Sequence, residues 1–163
     1  LYNKLILISL IGALHELKSL LFTLPFIATA MVAQANESAL KTVKSAYPAV
    51  ETVEKIKHAV TEKGMKVFTV IDHQAAAKEA GLEMPFSSVV VFGTPKAGTP
   101  MMLKSPTLAI DLPIKALVWE DTKGEVFVTL NDTDTIGKKH GLTEEVYGKL
   151  KGAEKLVPTV VTQ

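Results

Sequence analysis

Ile114-Lys115-Ala116-Leu117-Val118-Trp119-Glu120-Asp121-Thr122-Lys123-Gly124-Glu125-Val126-Phe127-Val128-Thr129-Leu130 is the stretch that decides the fold. Two runs rich in β-branched and aromatic residues, Ile114 to Asp121 and Glu125 to Leu130, are separated by Thr122-Lys123-Gly124. That pattern predicts an antiparallel hairpin with glycine in its turn. Trp119 and Phe127 alternate with Val118 and Val128, so both faces of the hairpin are apolar. Successive strand residues point to opposite faces. One face therefore suits a layer of helices, and the other is a candidate surface for a second copy of the chain.

Working outward, Met65 to Ile71 predicts a strand ending at Asp72-His73, and Gln74 to Ala80 a short helix with Gly81 as its stop. Ser88 to Phe92 is almost uninterruptedly apolar, which predicts a strand covered on both faces. Further upstream, Val50, Val53, Ile56 and Val60 recur at helical spacing, giving a helix over 49–63 that Gly64 ends. Lys41 to Ala46 alternates weakly, as a first strand. Glu54, His58 and Glu62 stand four apart on the far side of the 49–63 helix. Metal ligands take that spacing, but a solvated face is the better reading because the apolar stripe points away.

Gly93 to Pro100 reads as a loop, with Thr99-Pro100 as N-cap and first turn of a helix through Met101, Met102 and Leu103. Pro106 and Pro113 bracket a further short helical turn. Asp132 to His140 predicts a short helix closed by Gly141. Thr143 caps a last helix whose buried stripe is Val146, Tyr147, Leu150, Ala153 and Val157. Helices and strands are interspersed and the clearest hairpin is antiparallel. The fold class is therefore α+β, a two-layer domain with a mixed or antiparallel sheet and helices packed on it.

Residues 17–35 read as a bacterial export signal: Lys18, an apolar run from Leu20 to Val32, and Ala33-Gln34-Ala35 before polar Asn36-Glu37-Ser38. The expected cut lies between Ala35 and Asn36, which makes the protein periplasmic or secreted. Residues 1–16 read as untranslated upstream frame. A spanning anchor over residues 5–33 is the weaker alternative, because a membrane helix wants about 20 apolar residues and His15, Glu16 and Lys18 interrupt this one. The remaining 36–163 form a single domain with no stable membrane anchor after cleavage. Without Lys4, Lys18 and Glu16, 16 lysines face 16 acids in that domain. Neutral balance and a complete lack of arginine argue against nucleic acid. The absence of cysteine excludes disulfides, thiol chemistry and iron–sulfur clusters.

Several motifs in order carry a resemblance: Phe68-Thr69-Val70-Ile71-Asp72-His73, Ala80-Gly81-Leu82, and Val91-Phe92-Gly93-Thr94-Pro95-Lys96-Ala97-Gly98-Thr99-Pro100. Ala109-Ile110-Asp111-Leu112-Pro113, Leu117-Val118-Trp119-Glu120-Asp121, Asn131-Asp132 and His140-Gly141-Leu142 complete it. Over roughly 41–157 the chain resembles the domain of unknown function 302 family. The resemblance implies a compact α+β domain and transfers architecture, not a reaction. Thr94 stands where the family usually has asparagine, and Leu130 where it often has tyrosine.

The candidate ligand-binding residues are Asp72, His73, Thr94, Lys96, Thr99, Asp111, Glu120 and His140. Asp72-His73 sits where a strand passes into a helix, a usual place for functional side chains. Asp111 and Glu120 are acids flanked by apolar residues, and such an acid needs a partner if buried. His73 and His140 are candidate metal ligands. The favoured alternative has both histidines capping backbone groups and Glu120 paired with a lysine. Glycines, Lys96 and a following helix give the 93–100 segment a phosphate-cradle reading, although a plain turn fits better and no P-loop signature is present. Met65, Met84, Met101 and Met102 are spaced as core filler and not as copper ligands. No catalytic nucleophile motif or paired carboxylates stand out. The sequence thus points away from an enzyme and toward a small binding or accessory protein of the periplasm, with a small-molecule or protein partner, the cofactor unknown. The alternatives are a metal-dependent enzyme or metal carrier built on Asp72, His73, Glu120 and His140, and a structural homodimer module.

Overall fold

The hairpin forms: strands Ile114–Glu120 and Val126–Asn131 pair antiparallel, with Val118 opposite Val128 and Trp119 opposite Phe127. Asp121 organises the turn, its Oδ1 accepting from the N–H groups of Lys123 (2.8 Å) and Glu125 (2.9 Å). Gly124 takes the positive φ of 78° that closes it. Val118 and Val128 are fully buried, while Trp119 and Phe127 stack on the opposite face at 5.0 Å.

The computed structural model describes residues 39–163. The upstream frame, the export signal, the anchor alternative and the cut after Ala35 all fall outside the described residues. Among those described, no helix is long and apolar enough to cross a membrane.

The chain runs β1 (Leu40–Lys44), α1 (Ala49–Glu62), β2 (Lys66–Asp72), α2 (His73–Glu79), β3 (Ser87–Gly93) and α3 (Pro95–Lys104). A 3-10 turn (Pro106–Ile110) leads to β4 (Ile114–Glu120), β5 (Val126–Asn131), α4 (Thr133–Lys139) and α5 (Glu144–Tyr147). A second 3-10 turn (Gly148–Leu150) then enters α6 (Lys151–Val161). The five strands lie in the order β1-β5-β4-β3-β2, and every neighbouring pair is antiparallel. α1 therefore carries the chain from one edge of the sheet to the other.

The main core lies between one face of the sheet and α1 with α6. Ile56 and Val60 of α1 and Val157 and Val161 of α6 pack with Val90, Phe92, Ala116, Val118 and Val128, all fully buried. Burying side chains of this size stabilises by roughly 1.5–3 kcal/mol each. A second cluster, Met101, Leu108, Ile136 and Leu150, binds α3, the first 3-10 turn, α4 and the second 3-10 turn together.

Four local expectations need correction. Val50 is 66% exposed, and Ala49 and Thr52 take its place in the buried stripe of α1. β3 is covered unevenly: Ser88, Val90 and Phe92 are buried on one face, whereas on the other only Val91 is buried and Ser87 and Val89 are half-buried. α3 begins at Pro95, not Pro100, because Thr94-Pro95 is itself a cap followed by proline at the first helical position. Pro100 is then carried inside the helix. The last helix is broken into α5, a 3-10 turn and α6. Tyr147 accounts for the break, since its ring lies directly on Gly137 of α4 and holds α5 there.

A methyl group at Gly137 would stand 2.0 Å from Tyr147 Cδ1, far inside contact distance. Gly137→Ala is expected to lower stability by about 3 kcal/mol, the upper range for overpacking a core. A urea titration measures this, with the unstrained Gly148→Ala, which meets nothing within 4 Å, as the control that stays near wild type.

Candidate functional site

A pocket of about 800 Å³ opens where the two hydrophobic clusters fail to meet. Met65 and Phe68 from β2 and the turn before it, with Gly93 at the end of β3, form one wall. Thr94, Pro95, Ala97, Gly98, Thr99 and Met102 of the α3 region form a second. Leu112, Pro113 and Ile114 supply the floor where the chain enters β4. The remaining side is α6 and the turn before it: Lys149, Leu150, Gly152, Ala153, Lys155, Leu156 and Thr159, joined by Lys63 from the end of α1. Lys149, Gly152, Leu156 and Thr159 recur three or four apart and so share a helix face. The volume suits a small organic ligand, for which pockets of about 300–1,000 Å³ with mainly apolar walls are usual.

The charge on this lining has one sign. Lys63, Lys149 and Lys155 are its charged residues, and no acid contributes. All three are solvent-exposed, and among the described residues none makes an ion pair. Thr94 caps α3 through its backbone position without a side-chain capping bond, so its hydroxyl is not used up by the helix.

The eight sequence candidates do not converge on one site. Thr94 and Thr99 line the pocket, whereas Lys96 is exposed outside its walls. Asp72 serves α2 as N-cap, Oδ1 accepting from Ala75 N–H at 2.9 Å, and His73 beside it is exposed. Glu120 is half-buried at the end of β4 and, among the described residues, lacks the lysine partner expected for it. Asp111 and His140 do come together. His140 Nε2 donates to Asp111 Oδ2 at 2.5 Å, and Nδ1 is bonded to Thr107 Oγ1 at 2.9 Å. Lys139 Nζ donates to the same carboxylate at 3.0 Å, and Ser105 Oγ donates to the His140 carbonyl.

His140 is thus fixed by side chains on both ring nitrogens, not by capping a backbone group. Its side chain is only 4% exposed, and neither it, Asp111 nor Thr107 lines the pocket. This carboxylate–imidazole–hydroxyl chain latches the first 3-10 turn to the end of α4. Among the described residues no three His, Asp or Glu side chains converge as a metal site would require. His58 and Glu62 are both largely exposed, 3.4 Å apart on the solvated face of α1.

The pocket-lining lysines were not singled out by sequence reasoning. For Lys149 the available signal was its spacing against Gly152 and Leu156 on one face of a helix.

Residues 41–157 match the family described as Domain of unknown function DUF302, and the chain belongs to it. A crystal structure of an uncharacterized conserved DUF302 protein from Bacillus stearothermophilus superposes with a TM-score of 0.65. It shares 14% sequence identity, over 76% of this chain and 96% of that one, a likeness of fold. Among curated proteins, 111 residues are 42% identical to Fluoride-specific ion channel FluC 1 of Brucella suis and to a FluC 1 of Brucella abortus. That segment is 68% of this chain, but it spans only 44% and 41% of those relatives.

Three partly buried carboxylates are held below their ordinary range by hydrogen bonds, which predicts a fold that weakens in acid. Burial pushes Asp132 up, but hydrogen bonds from Lys41 and Thr135 outweigh it and bring the carboxyl down to about 2. Burial likewise raises Glu154 and Asp111, and bonds from Lys41 and Thr133 to the former, and from His140 and Lys139 to the latter, reverse the sign. A depressed folded-state pKa means the stabilisation is complete above the ordinary carboxylate range, about pH 4, and is lost as pH falls through the depressed values. For Asp132 this amounts to at most about 2 kcal/mol, reduced by salt because Lys41 is 48% exposed. The urea midpoint is expected to hold from neutral pH to about pH 5 and to drop toward pH 2, with a shallower drop in Asp132→Asn.

Proposed function

We propose that this domain is a small binding protein of the cell envelope that takes one mainly apolar organic molecule into the pocket between α3 and α6. The observation that carries the reading is the pocket itself: about 800 Å³ with walls built from Met65, Phe68, Met102, Leu112, Ile114 and Leu156. Solvent-filled apolar space of that size has a free-energy cost that a ligand removes. The export signal read at 17–35 puts the ligand outside the cytoplasm. Capture, delivery or sensing of such a molecule is the role these apolar walls support.

A second reading draws on the Brucella relatives. Proteins named fluoride-specific ion channels carry a similar segment as less than half of their length, which favours an accessory role beside a membrane channel. Phe68, Val70 and Ile71 on the edge strand β2 are each about two-fifths exposed, and Leu82 and Met84 are exposed near it. An unpaired apolar edge of this kind supports contact with a partner or a second copy.

Protein expressed with its own leader and purified without detergent is expected to release a stoichiometric organic molecule on solvent extraction, identified by mass spectrometry. Protein that stays empty after incubation with total envelope extract would overturn the binding reading. Cells lacking the gene are expected to keep normal fluoride tolerance; heightened fluoride sensitivity would favour the accessory reading.

A further inference from the structure

The lining carries more information than its volume. Gly98 in α3 and Gly152 in α6 both face the pocket, and neither adopts a positive φ. A methyl group at Gly152 would meet nothing within 4 Å, and at Gly98 only ordinary contacts, 3.6 Å to Leu112 Cδ1 and 3.9 Å to Met102 Cε. Glycine within a helix is less favourable than alanine by up to about 1 kcal/mol. Neither backbone geometry nor crowding demands glycine here. What the two positions share is the cavity, which side chains would narrow from both sides.

Opposite charge is the second feature a ligand would need. Three lysines that make no ion pair among the described residues, and no acid, line an apolar interior, so the charge of the walls favours an anionic head over a cationic or neutral one. Lysine is a flexible point charge, suited to carboxylate or phosphate without a fixed bidentate geometry. Three threonines, Thr94, Thr99 and Thr159, add hydroxyls to the same walls.

We propose that the pocket binds anionic amphiphiles: an acyl chain against Met65, Met102 and Leu156, with a carboxylate or phosphate head drawn to Lys63, Lys149 and Lys155. This rests on the pocket being a ligand site, and it names the class of ligand. Free fatty acids and lysophospholipid-type phosphates present the same chemistry from two sources.

Titration calorimetry with dodecanoate, dodecyl phosphate and dodecanol separates the possibilities. Both anions are expected to bind about tenfold or more tightly than the alcohol, a margin that falls as salt is raised. The triple variant Lys63→Gln, Lys149→Gln, Lys155→Gln is expected to abolish the margin while leaving dodecanol binding in place. Whichever anion binds more tightly names the head group. Gly152→Leu should block all three ligands and leave the urea midpoint unchanged or raised, because the site has room and leucine favours helix. Equal binding of dodecanoate and dodecanol, both blocked by Gly152→Leu, would overturn the head-group assignment and leave the pocket as a ligand site. No binding of any probe, or binding indifferent to Gly152→Leu, would overturn the pocket reading and this inference with it.

Discussion

Ile114, the first residue of β4, packs against both hydrophobic clusters: the sheet with α1 and α6 on one side, and the Met101–Leu108–Ile136–Leu150 group on the other. It sits opposite Phe92 in the ladder, so its position is set by the β3–β4 register. A register slip of one residue would turn it to the other face of the sheet. The two clusters then have no shared side chain on this side, and the segment from Pro95 to Pro113 loses its seat on the sheet. The pocket follows from the same arrangement. Met65, Ala153 and Leu156 belong to the first cluster's side, and Ala97, Met102, Leu112 and Leu150 to the second's. Ile114 keeps these two groups connected at the floor, and above it they stay apart.

Most of the architecture could be read from local pattern. The hairpin was legible because both strands and the turn glycine lie within seventeen consecutive residues, and the stops at Gly64, Gly81 and Gly141 because each needs a positive φ. The errors occur where tertiary contact decides. Nothing local distinguishes Val50 from Val53, but only the latter meets the sheet. Thr94-Pro95 and Thr99-Pro100 offer the same capping signal twice. The earlier one prevails because it lets α3 place Ala97, Met101 and Met102 against the second cluster. The helix after Thr143 breaks because Tyr147 must reach Gly137, a contact made ten residues away in sequence.

The candidate site was less legible, for the same reason. Asp111 was visible as an acid in need of a partner and His140 as a candidate metal ligand or backbone cap, yet their pairing spans 29 residues and emerges only with the fold. Acid and imidazole satisfy one another, so both are withdrawn from chemistry at the surface. Asp72 is likewise occupied in capping α2. Thr94 and Thr99 were chosen for a loop that turned out to be a helix, and they face a cavity all the same. The lysines that line that cavity are 63, 149 and 155, remote in sequence and unremarkable as single charges.

Glycine usage separates what the fold requires from what it tolerates. Gly137 is demanded by packing, since the Tyr147 ring occupies the space of its missing side chain. Gly64, Gly81, Gly124 and Gly141 are demanded by backbone conformation. Gly98 and Gly152 meet neither demand and sit on helices where alanine would be more stable. Larger side chains at these two positions, reaching toward Leu156 and Leu112, would join the clusters across the seam and extend the core. A chain under selection for stability alone would fill that seam. Proteins commonly retain such locally suboptimal positions where function needs the space. The lysines around the seam have the same character: Lys63, Lys149 and Lys155 line one pocket with no acid in its walls, and among the described residues none makes an ion pair. Both departures from the best-packed, best-neutralised domain fall on one pocket, and an anionic apolar ligand resolves both at once.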